Sequence, residues 1–318
     1  MQTRQRRAGL ALLLALAVPL AATVRAEGEP AERARELPEV VLVEPGAAPR
    51  VALRLRPEPG YRQILTMIMH MEMQQRMDGG EAPQVPLPPM RMRANVTIED
   101  VAANGDFTYV MRYTEADAME AGDVAEEVRQ MVSNMLRSMA GVTVRGTTSD
   151  RGFERDVAME LPPQLAPQIA AQMRAMADSL EQFSTPLPEE PVGVGAAWDV
   201  RTTLSQDGIT LRQTTRYRLR ELEGGHAVLD IGITQQADEQ PVDAPMPPGV
   251  TATLVSLEGR GEGTTRLDLA AGLPGEANVT HTVDQEMQLA MGNDARNLRQ
   301  TMRMRIELRS EAPEDADD

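Results

Sequence analysis

Three histidines, a ladder of methionines and one glycine-rich stretch are the residues of this chain whose types and spacing could do chemistry. His70, His226 and His281 stand far apart. None sits in an H-x-H or H-x-x-x-H pattern with a carboxylate at ligand spacing, so each reads as a solvated or hydrogen-bonded imidazole. The methionines are patterned. In Ile64–Met77, Leu65, Met67, Met69, Met71 and Met73 occupy every second position, and Thr66, Ile68, His70, Glu72 and Gln74 alternate with them. Successive side chains of a β-strand point to opposite faces, so this is a methionine ladder on one face of a long strand. Met90 with Met92, and Met302 with Met304, repeat the spacing. Three chemistries compete for the ladder. Methionine is unbranched and polarisable, so it fills cores, and it also lines surfaces that adapt to variable apolar ligands. Thioethers further select Cu(I), but His70 falls on the opposite face from the methionines of its strand. No metal site is assigned.

Much other chemistry is excluded. There is no cysteine, hence no disulfide, thiolate metal site or cysteine-borne lipid. There is no lysine either, which removes Schiff-base catalysis, a phosphate-loop lysine and a Ser–Lys dyad. Gly259-Arg-Gly-Glu-Gly263 reads as a connection between strands; it opens no helix and is not a phosphate loop. No G-x-S-x-G and no paired-carboxylate motif stands out. No catalytic residue and no cofactor is assigned, and the chain reads as non-enzymatic.

The elements that must position the ladder are mostly strands. Val40–Val43 and Val51–Leu55 read as short strands. Residues 90–100 and 107–116 pair around Asn104-Gly105, a hairpin signal. Asp123 with Glu126 gives a capping-box pattern. The stripe Val124, Val128, Met131, Val132, Met135, Leu136 and Met139 predicts a first amphipathic helix, ended at Gly141. A second helix is predicted from Ile169, Met173, Met176, Leu180 and Phe183. Pro186–Gly195 is a Pro/Gly-rich joint, and seven strand-like runs follow between Trp198 and Arg309. Gly105–Thr114 and Gly225–Thr234 resemble one another, an echo that fits a duplicated half.

The termini speak to compartment. Arg4, Arg6 and Arg7 precede an apolar run, Leu10–Leu20, with Val24-Arg25-Ala26 at the end, the pattern of an export signal cleaved after Ala26. Residues 27–49 read as a flexible leader, and 311–318 as an acidic disordered tail. Cleavage removes four arginines and no acid, taking the formal charge from −16 to −20. Such a charge disfavours nucleic acid and anionic membrane surfaces. No second apolar run is long enough to span a bilayer. The expected location is periplasmic or secreted, soluble and not integral to a membrane.

The joint Leu187-Pro-Glu-Glu-Pro191-Val-Gly-Val-Gly195-Ala-Ala-Trp198, preceded by Gly60-Tyr61 entering the ladder strand, resembles a segment of uncharacterised exported bacterial proteins, LP-x-x-PV-x-VG-x-x-W between two β-rich halves. That resemblance implies an exported β-rich architecture and no activity. The long strands also look similar to the half-barrels of periplasmic lipoprotein carriers, a likeness of fold alone. Trp198 is expected to anchor the second half by burying its ring.

The fold these readings predict is α+β. One β-rich domain over 50–310, in halves 50–187 and 188–310, forms a large curved antiparallel sheet, a half-barrel or open barrel. Two amphipathic helices pack on its concave side. Met67, Met69, Met71, Met73, Met131, Met135, Met173, Met176, Met302 and Met304 are expected to line the interior. The function expected is an envelope protein whose partner is a lipid or other hydrophobic molecule. A filled structural or interaction module with an envelope protein partner is the alternative, and Cu(I) binding the third reading.

Overall fold

The computed structural model describes residues 37–78, 80–81, 86–162, 185–206, 208–242, 249–272, 274–292 and 294–313. In chain order the elements are β1 (Glu39–Glu44), β2 (Arg62–Met77), β3 (Gly80–Glu81), β4 (Met90–Val101), β5 (Phe107–Ala118), α1 (Glu126–Arg137), β6 (Thr143–Thr148), β7 (Glu154–Glu160), β8 (Ala197–Gln206), β9 (Ile209–Glu223), β10 (His226–Ala237), β11 (Gln240–Pro241), β12 (Val250–Asp268), β13 (Pro274–Met291) and β14 (Asp294–Glu311). All strands join one antiparallel sheet in the order β1-β8-β9-β10-β12-β13-β14-β2-β4-β5-β6-β7, with β11 on β12 and β3 on β2.

The α+β expectation is therefore overturned: the described fold is nearly all β, with one α-helix among the described residues. The predicted second helix, with Met173 and Met176, lies outside the described residues, as do the export signal and the end of the acidic tail. The reason for the overestimate is visible at α1. Its stripe predicted a helix from Val124, but the turn begins at Glu126, and Ala125 at its N-cap makes no side-chain hydrogen bond. The expected capping box is not formed. Glu126 instead accepts from Arg129 Nε and Nη2 at 2.8 and 2.6 Å. Extended backbone dominates the described residues, because alternation runs through most of the chain.

Other local readings change as well. Val51–Leu55 makes a single bridge, Val51 to Val192, not a strand. Leu53 and Leu55 are nonetheless core residues. Gly259–Gly263 is no connection between strands. It lies within β12, a strand of 19 residues.

The sheet curls at one end. Phe107 and Tyr109 of β5 share a buried cluster with Trp198 and Val200 of β8 and with Leu219 and Leu229 of β9 and β10, although these strands stand far apart in the sheet order. Two coil segments, 45–57 and 185–196, span the gap between the edges. Val51 and Val192 exchange backbone bonds, Leu55 N donates to Asp150 O, and Leu187 N donates to Arg151 O. Gly46 and Gly193 allow the segments to touch, since a Cβ on either would collide with backbone of the other segment. Trp198 is fully buried here, as expected. Its indole donates to Pro186 O at 2.9 Å and its ring stacks on Tyr217 with centroids 5.6 Å apart. Full burial of each such side chain contributes about 1.5–3 kcal/mol. The base is thus closed by packed coil rather than by strand pairing.

Candidate functional site

Strict alternation gives the long strands two chemically different faces. On the outer face of β14 and its neighbours stand arginines and carboxylates. Arg303 pairs with Glu72 at 3.4 Å, Arg299 with Glu286 at 3.2 Å and Arg305 with Glu307 at 3.0 Å. A cleft of about 550 Å³ on this side is lined by Arg266, Glu276, Asn278, Glu307 and Arg309 among others. His70 belongs to this face, exposed and opposite Arg305. His226 lies at the base end of β10, its Nδ1 3.8 Å from Asp268.

The inner face is largely apolar, and the register of β13, β14 and β2 orders it into rows. From base to rim these read Ala277–Leu308–Met67, Val279–Ile306–Met69, His281–Met304–Met71, Val283–Met302–Met73, Gln285–Gln300–Gln75 and Met287–Leu298–Met77. Directly opposed side chains on one face lie about 4.5–5.5 Å apart at Cβ. The structure thus brings four predicted residues, Met71, Met73, Met302 and Met304, into one block. All four are half-buried, and among the described residues none belongs to a packed cluster of the core. Gln75 Nε2 donates to the Met73 sulfur at 3.3 Å.

Met67 and Met69 differ. They pair with Met92 and Met90 of β4, and all four belong to a cluster with Leu136 and Val132 of α1 and Met139 just beyond it. The helix packs on β5 at this end of the sheet. It does so with Leu136 and Ser133; Met131 and Met135 are 59% and 57% exposed and line no interior. Their place on the helical stripe was misleading because the apolar arc of α1 is wider than the part that meets the sheet.

His281 is the residue that motif reading missed. It sits on the apolar face, opposite Met304 on one side and Gly261 on the other. The glycines make its seat. A Cβ at Gly261 would stand 2.9 Å from His281 Cδ2, and one at Gly259 would stand 3.1 Å from His281 Nε2. The imidazole thus lies across the bare backbone of β12. Burial pushes its pKa below the usual histidine value. Its Nε2 is shielded from solvent and makes no hydrogen bond. Beside it, Gln235 Nε2 donates to Gln213 Oε1 at 2.6 Å, and Gln213 Nε2 donates to Thr215 Oγ1 at 3.2 Å. A signal for this placement exists in the sequence: Ala277, Val279, His281 and Val283 share one parity, as do Gly259, Gly261 and Gly263.

Among the described residues no group of three or more His, Asp and Glu side chains is disposed to hold a metal ion. Tyr217, a buried core residue, has its hydroxyl pushed up to about 12 by desolvation, which removes it as a base or nucleophile near neutral pH. No helix among the described residues is long and apolar enough to cross a membrane.

Residues 169–274 match DUF6263, a family of unknown function. No curated protein matches the sequence. Two solved structures from Pseudomonas aeruginosa align with it. OpdQ does so at 7% identity and a TM-score of 0.21, over 78% of this chain and 97% of that one. OccK2 (OpdF) does so at 9% identity and a TM-score of 0.15, over the same shares, 78% and 97%. Likeness this small carries no argument about fold or activity.

Proposed function

We propose that the chain is a non-enzymatic protein of the cell envelope that holds a hydrophobic molecule, an acyl chain being the simplest, against the inner face of β13, β14 and β2. The carrying observation is the block Met71, Met73, Met302 and Met304. Its side chains are in register and apolar, yet only half-buried and outside the packed clusters of the described residues. Flexible thioether side chains suit a ligand of variable length. The polarity of the two faces supports the reading too. A transmembrane barrel turns an apolar band outward and a polar lining inward. Here the ion pairs of Arg299, Arg303 and Arg305 stand on the outer face and the methionines on the inner one. Location in the envelope rests on the export pattern of residues 1–26.

Uptake of a fluorescent fatty acid by purified protein, together with native mass spectrometry of protein taken from the envelope, tests this. A bound lipid mass and saturable uptake are expected. Changing the four methionines to glutamine should weaken uptake at least tenfold, whereas leucine should preserve it. A clean apo mass with no uptake refutes the reading.

A further inference from the structure

We propose that the molecule held on the inner face is a single-chain amphiphile whose polar group is uncharged, a hydroxyl or an amide, hydrogen-bonded by Gln285, Gln300 and Gln75. The proposal rests on the lipid-binding reading above and adds the chemistry of the head group. Three observations carry it. First, the three glutamines stand in one row across β13, β14 and β2, immediately rimward of the row Val283–Met302–Met73. Directly opposed Cβ atoms lie about 4.5–5.5 Å apart, so the amides can converge on one small group. The bond from Gln75 Nε2 to the Met73 sulfur, 3.3 Å, makes the row continuous with the thioethers. A chain lying baseward over the methionines would therefore set its polar end against the amides. Second, these amides are available. All three residues are half-buried, and neither Gln285 nor Gln300 makes a side-chain hydrogen bond to another described residue. Gln235 and Gln213, on β10 and β9, do the opposite and bond to one another at 2.6 Å. A half-buried amide carries donors and an acceptor that water or a ligand must satisfy. Third, this part of the face is uncharged. From the row of Ala277, Leu308 and Met67 up to the glutamines, His281 is the sole titratable residue at the inner positions of β13, β14 and β2. Burial favours its neutral form. The nearest inner-face cation on these strands, Arg296, lies two rows further toward the rim, about 13 Å along β14. It is exposed and faces Asp78 at 4.0 Å. A carboxylate or phosphate brought to the glutamine row would lose water and gain no cation, an unfavourable exchange. A hydroxyl or amide exchanges water for donors and acceptors of its own kind.

The test is displacement of N-phenylnaphthylamine, an uncharged fluorescent probe of apolar sites, from the full chain near neutral pH. The competitors are a fatty alcohol, a fatty amide and a fatty acid of one chain length. The alcohol and the amide should displace the probe at concentrations about tenfold below those of the acid. Adding the alcohol to wild-type protein should shift the side-chain amide NMR signals of Gln75, Gln285 and Gln300, a readout that needs no variant. Gln300→Arg supplies the missing cation and should reverse the order, making the acid the better competitor. If the probe binds and the acid displaces it as well as the alcohol does, the head-group proposal falls and lipid binding stands. Amide signals of the three glutamines that stay in place, or an acid that gains nothing in Gln300→Arg, overturn the assignment to this row. If the probe does not bind and no competitor has an effect, the lipid-binding reading falls and this proposal with it.

Discussion

Replacing Gly261 with alanine tests the seat of His281 through stability alone. The new Cβ would stand 2.9 Å from His281 Cδ2, 2.9 Å from Thr280 O and 3.3 Å from Ile233 Cβ. The imidazole can swing away; the backbone carbonyl of β13 cannot move without disturbing the ladder. Overpacking of this kind costs about 1–3 kcal/mol. Against it, alanine in a strand interior regains about 0.5–1 kcal/mol over glycine. The net expectation is a loss centred on about 1 kcal/mol and no larger than about 2.5 kcal/mol. In a His281→Ala background one of the collisions is gone, so the same change should cost less. A coupling of about 0.5–1 kcal/mol should appear in the double-mutant cycle. Urea denaturation followed by the fluorescence of Trp198, the sole tryptophan, measures all four proteins. The reasoning is refuted if Gly261→Ala is as stable as wild type or more so, or if the two changes are additive.

Other expectations follow from the same packing. Trp198→Phe deletes the donor that satisfies Pro186 O and part of the stack on Tyr217, and should cost about 2–4 kcal/mol by circular-dichroism melts in urea. Leu136→Ala should cost about 2–4 kcal/mol, whereas Met131→Gln and Met135→Gln, on the exposed side of the same helix, should stay within about 0.5 kcal/mol. Because burial lowers the pKa of His281 in the folded chain, the unfolded chain binds its proton first. Stability should therefore fall as pH drops below the ordinary histidine value, levelling off below the folded one. His281→Asn should remove that part of the acid limb, and an unchanged limb would show that the imidazole is not buried.

Much of the inner face was legible before any coordinates. The alternation of Met67, Met69, Met71 and Met73 with polar partners fixes which side chains share a face, because the side-chain period of a strand is two. The hairpin at Asn104-Gly105 and the burial of Trp198 were legible for similarly local reasons. The helix reading was less secure. An apolar stripe reports that a helix could bury one side, but not how wide a partner it meets, so Met131 and Met135 were misplaced. The glycines of β12 read locally as a connection between strands, and the reason for them sits on another strand.

The sequence by itself determined most of the strands, their two faces and the absence of cysteine and lysine chemistry, since all of these depend on residue type and near neighbours. Tertiary structure decided which strands lie side by side. Pairing β14 with β2 joins residues 302 and 73, far apart in the chain, and pairing β13 with β12 lays His281 over Gly261. Register between distant strands is set by the whole sheet closing on its core, a cooperative choice that no local window contains. It turns a methionine ladder into a block of four thioethers.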